Sequence, residues 1–130
     1  MIVIDSSALV AIMRDEAERS SFIDSIIDHG APCMSAATYV EVSMVMELRF
    51  GDRIGREVDS LVEDVGISIV PFDPSQLKAA REAFRRFGKG RHRAALNLGD
   101  CFSYALAKTF DAPLLFKGND FALTDLKRAL

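Results

Sequence analysis

A chain of 130 residues, 49% of them hydrophobic and with a formal net charge of −3, is long enough for one domain with a true core and too apolar to stay unfolded. Its longest apolar run near the start, Ala8 to Met13, falls far short of the roughly 20 residues that span a bilayer, and no basic stretch precedes it, so neither a membrane span nor a secretory leader is expected and the chain reads as cytoplasmic. Cys33 and Cys101 lack CxxC spacing and His29 and His92 lie in no HExxH, which argues against a zinc site or a disulfide framework.

Met1 to Ile4 is a β-branched apolar run that predicts a buried parallel strand ending at Asp5. Ser6 or Ser7 is placed to cap the helix that follows, with Leu9, Val10, Ile12 and Met13 as its apolar stripe. A second helix runs from about Glu16 to Asp28 and stops at His29-Gly30. Ala31 to Ser35 reads as a short strand. From Ser35 or Thr38 a long helix extends to about Phe50, with Val40, Met44, Val45 and Leu48 on one face, until Gly51-Asp52 breaks it.

Arg53 to Val65 has Ile54, Val58, Leu61, Val62 and Val65 at helical spacing, and Ile67 to Phe72 is the third strand. Asp73-Pro74 opens a helix to about Phe87, where Phe84 and Phe87 are expected in the core. Gly88 to Arg93 is a glycine-punctuated basic loop. Asn97 to Asp100 leads into a helix ending near Phe110, in which Cys101 packs as a small hydrophobe. Ala112 to Phe116 is the fourth strand, and Lys117 to Asp120 the turn behind it. Alternation of strands and helices predicts one domain over residues 1–130: three α/β/α layers around a central, mainly parallel sheet of four to five strands.

In such a sheet the ligand crevice lies beyond the carboxyl ends of the strands. Asp5 and Asp120 follow strands directly or by a few residues, Glu41 interrupts an apolar stretch of helix, and Asp100 sits in the first turn of another helix. Each has a bland explanation: a cap, a stripe margin, a dipole partner or a turn residue. Together the four acids converge on one crevice. Clustered carboxylates repel unless neutralised, and oxygen ligands without histidine or cysteine select Mg²⁺, with Mn²⁺ able to substitute. Such a centre suits phosphodiester cleavage by an activated water. From Lys78 to Arg93 there are seven basic residues against one acidic, while the rest of the chain has nine against eighteen, so a polyanion could be held locally.

Two longer strings sharpen this reading. Gly88 to Lys108 and Pro113 to Phe121, with Val3-Ile-Asp-Ser-Ser-Ala-Leu9 and Tyr39-Val-Glu-Val42, resemble the PIN-domain ribonucleases, and most closely the VapC-type toxins of bacterial toxin–antitoxin pairs. The resemblance spans essentially the whole chain. It implies a PIN-like fold and a Mg²⁺-dependent endoribonuclease with Asp5, Glu41, Asp100 and Asp120 as its acidic, metal-holding centre. Asn119 stands at a position that is sometimes acidic, and Asp120 can then act through water. Ser6 or Ser7 would orient Asp5 or bound water, and Lys89, Arg91 and Arg93 would hold the RNA backbone. The family also implies a homodimer and a cognate antitoxin that covers the site.

Two other readings use the same residues. A phospho-receiver domain would take Asp73 as phosphoacceptor and Lys117 as the late-strand lysine, although its strand-end acidic pair is missing at Asp5. A PIN fold that only binds partners would not need all four acids. The DxD of a haloacid-dehalogenase phosphatase reads Asp5-Ser-Ser here, and Gly88-Lys-Gly lacks the P-loop frame.

Overall fold

The computed structural model covers residues 1–130 and forms a four-stranded, all-parallel sheet in the order β3-β2-β1-β4. The strands are β1 (Ile2–Ile4), β2 (Pro32–Ser35), β3 (Ser68–Val70) and β4 (Leu114–Leu115). Six helices surround them: α1 (Ser6–Met13), α2 (Arg19–His29), α3 (Ala36–Phe50), α4 (Arg53–Val65), α5 (Pro74–Phe87) and α6 (Leu98–Thr109). None is long and apolar enough to cross a membrane.

Strand alternation divides the core. Val3 and Cys33 point toward α5 and α6, where Ala83, Phe87, Tyr104 and Leu106 complete one hydrophobic cluster. Ile2, Ile4 and Met34 point the other way, against Leu9, Ile12, Val42, Met46 and Val58 of α1, α3 and α4. These are the three α/β/α layers expected from the sequence. β1 is central and wholly buried, whereas β3 is an edge strand with Ile69 42% exposed. The C-terminal tail adds a parallel bridge between Leu114 and Arg128, extending the sheet at its other edge.

Three local expectations are corrected. Neither Ser6 nor Ser7 caps α1: Asp5 does, its carboxylate accepting from Ser7 N, so both serines lie inside the helix. In α3 the apolar face read from the sequence is the outer one: Val40, Met44, Val45 and Leu48 are exposed, while Thr38, Val42 and Met46 are buried. The helix is apolar on both sides, so its period alone does not say which side meets the sheet. Phe87 is buried as expected, but Phe84, almost a full turn earlier, is 40% exposed under the Arg91 guanidinium.

Candidate active site

Alternation along β1 sends Val3, and therefore Asp5, toward α6. Asp5 is 3% exposed and reaches two elements at once. Its Oδ2 accepts from Ser7 N (3.0 Å) and Ser7 Oγ (2.5 Å), and its Oδ1 accepts from Ser103 Oγ (2.5 Å) in the middle of α6. Three donors compensate a carboxylate that burial would otherwise penalise. Of the two serines considered for this role, only Ser7 touches Asp5. Ser6 lines a neighbouring cavity of about 330 Å³ with Glu41 and Lys117.

Asp100 is brought in by the start of α6. Asn97 caps that helix by accepting from Asp100 N (2.9 Å), and the Asp100 carboxylate returns a bond from Asn97 N (3.0 Å), a complete capping box. Capping leaves the second Asp100 oxygen without a protein donor. Burial raises its carboxyl to about 6, with Asp5, Asp120 and Glu41 adding repulsion against the lowering effect of the Asn97 bond. Glu41, one turn into α3, is likewise raised, first by burial and then by Asp5. Its carboxylate lies flat over Gly99, where an added Cβ would stand 2.6 Å from Glu41 Cδ. Asp120 is exposed in the turn after β4, and the main-chain carbonyl of Asn119 accepts from Ala122 N.

The structure thus places Asp5, Glu41 and Asp120 within electrostatic reach of Asp100, at the carboxyl edge of the sheet. None of the four is in a salt bridge: Lys117, which lines the same cavity as Glu41, is paired with Glu16 and Glu18. No three of the acids stand close enough to grip one ion together. An ion here would be held by one or two carboxylates and its own water, a mode open to Mg²⁺. The donor set is all oxygen and suits such a hard ion. Ser103, Thr38 and Gly99 are the participants that sequence reading passed over. The signal available was their spacing: Ser103 lies one turn beyond Asp100, on the same helical face.

The basic loop is closed by Lys89 N→Leu96 O and Leu96 N→Phe87 O bonds, both 2.9 Å, which set it beside the α6 N-terminus. Lys89, Arg91 and Arg93 are all exposed. Between α5 and α6 lies an apolar cavity of about 440 Å³, bordered by Leu77, Phe84, Leu98 and Phe102 with Arg81 and Arg91. Asp73, the would-be phosphoacceptor, is not at the site. It caps α5 through Gln76 N (3.0 Å) and Ser75 Oγ (2.8 Å), behind edge strand β3, two strands away from β1.

Comparison with known proteins places these features in context. A family model described as PIN domain matches residues 2–127. A "Ribonuclease VapC" of Mycolicibacterium smegmatis is 51% identical over 125 residues, covering 96% of this chain and 97% of that protein. "Ribonuclease VapC30" of Mycobacterium tuberculosis is 48% identical over 125 residues, covering 96% and 95%. Among solved structures, VapC20 of Mycobacterium tuberculosis, titled a sarcin-ricin loop cleaving toxin, superposes with a TM-score of 0.75 at 14% identity, covering 97% of this chain and 96% of that one. VapBC2 from Rickettsia felis, bound to a promoter DNA fragment, gives 0.77 at 10% identity, covering 98% and 96%.

Proposed function

Since this chain belongs to the PIN-domain family, among its VapC ribonucleases, we propose that it is a divalent-cation-dependent endoribonuclease, the toxic half of a toxin–antitoxin pair. One observation supports the metal dependence: Asp5, Glu41, Asp100 and Asp120 share one edge of the sheet, burial and then the charges of Asp5, Asp120 and Glu41 raise the Asp100 carboxyl, and none of the four is in a salt bridge. Asp5 and Asp100 would hold Mg²⁺ or Mn²⁺, with Glu41 and Asp120 contributing through water. A bound ion of this kind supplies an activated water and neutralises charge developing on the phosphate.

The protein's own part is positioning. Asp5 is locked by its three donors, Asp100 by its capping box and Glu41 by the flat surface of Gly99. Lys89, Arg91 and Arg93, exposed on the loop before α6, would hold the RNA phosphates. The apolar rim of Leu77, Phe84 and Leu98, 40–72% exposed, is the surface we assign to self-association as a homodimer. The exposed α3 stripe of Val40, Met44 and Leu48 runs beside Glu41 and offers an antitoxin a footing from which to cover the acids.

The test is cleavage of RNA by purified Asp5→Asn and Asp100→Asn variants whose circular dichroism matches the parent. Mg²⁺-stimulated cleavage should drop to background in each. Full cleavage by both variants would rule out the acidic centre as the catalyst.

A further inference from the structure

Asp5 is usually explained as the cap of the helix that follows it, and Ser7 alone satisfies that role. Its contact with Ser103 needs a different account, because the two residues are 98 positions apart and join strand β1 to helix α6. The proton directions can be assigned from donor counting, since a serine hydroxyl has one hydrogen. Ser7 Oγ receives Lys117 N (3.0 Å) and so gives its hydrogen to Asp5 Oδ2. Ser103 Oγ gives its hydrogen to Asp5 Oδ1 and can only accept from Thr38 Oγ1, 3.4 Å away. A one-way chain Thr38→Ser103→Asp5 results, with Thr38 and Ser103 each 1% exposed.

A carboxylate offers about four acceptor positions. Ser7 fills two on Oδ2 and Ser103 fills one on Oδ1, leaving a single open position on Oδ1. Ser103 also lies one turn below Asp100 on the same face of α6, so the same bond that orients Asp5 sets its separation from Asp100. We propose that Ser103, backed by Thr38, is a positioning residue of the metal centre: it presents Asp5 to the ion through one oxygen and ties the two principal ligands together across the sheet. This rests on the metal-dependent reading above and names residues of that site not previously assigned.

The experiment is Mn²⁺ titration of the whole purified chain by calorimetry, well below its melting temperature, on wild type, Asp5→Asn, Ser103→Ala, Ser103→Cys and Thr38→Val. Ser103→Ala should weaken Mn²⁺ about 10–100-fold, the range typical of residues that orient ligands. Thr38→Val should weaken it less, and Ser103→Cys, which keeps the volume but donates poorly, should follow Ser103→Ala. If Ser103→Ala does not fold, Ser103→Cys and Thr38→Val carry the comparison. A lowered melting temperature with Mn²⁺ affinity within about twofold of wild type, or tighter binding, would make Ser103 a merely structural residue and overturn the proposal. Failure of the underlying reading looks different: wild type itself binds no Mn²⁺, or Asp5→Asn binds it as well as wild type, and the positioning role then falls with it.

Discussion

At the scale of single residues, the least conspicuous member of the site is Gly99. Glu41 rests on it, and a methyl group there would overlap the carboxylate. Gly99→Ala should therefore push Glu41 off its place or part α3 from α6. The expected outcome is a loss of RNA cleavage at saturating substrate that exceeds what a destabilisation of about 1–3 kcal/mol would cause, checked by setting single-turnover rates beside urea melts. Wild-type rates in a folded Gly99→Ala protein would remove Glu41 from the centre. The four acids themselves were legible in the sequence because Asp5, Asp100 and Asp120 stand near the end of a strand or the start of a helix, and Glu41 interrupts an apolar run inside one. Ser103, Thr38 and Gly99 were not. A hydroxyl inside a helix is ordinarily spent on its own backbone, and nothing local says that Ser103 spends its hydrogen on a residue 98 positions away.

Elements were read more easily than their orientation. Every helix of the sequence reading exists, and all four strands do, though β3 and β4 are only three and two residues long. The orientation of α3 was lost because hydrophobic period reports that a helix has faces, not which neighbour each will meet. The C-terminal tail was not read at all, since it holds on by one isolated bridge to Leu114 and by side chains rather than by a strand of its own. Asp125 accepts from Tyr104 Oη (2.6 Å) and Lys108 Nζ (2.7 Å) of α6, and from Arg86 Nη1 (3.3 Å) of α5. Burial pushes its carboxyl up, but the Lys108 and Tyr104 bonds outweigh that and bring it to about 2. A lowered folded-state value means the clamp contributes fully above the ordinary carboxylate range and is lost as pH falls through about 2. Asp125→Asn should cost about 1–2 kcal/mol at neutral pH, a figure set between buried charged bonds and screened surface pairs. Urea denaturation at pH 7 and pH 3 measures it, and the gap between variant and parent should narrow at the lower pH. An equal gap at both would show that the charge on Asp125 is irrelevant to the tail.

Across the whole molecule, charge is segregated: an acidic cleft stands beside a basic α5 and loop, and the net value of −3 conceals both. Replacing Lys89, Arg91 and Arg93 together by alanine should make single-stranded RNA binding less sensitive to salt, the slope of log K against log salt becoming shallower by about 2 for three lost phosphate contacts. Fluorescence anisotropy on the Asp5→Asn background, which leaves RNA intact, gives that slope. An unchanged slope would place the RNA elsewhere. The parallel topology has a consequence of its own. β1 lies between β2 and β4, and Asp5 needs Ser103 and the turn carrying Asp120 before its surroundings are complete. A ribosome that stalls while making this chain releases nothing able to cut RNA until the third and last crossover has been made, so an interrupted translation event leaves the cell with an inert fragment rather than a partial poison.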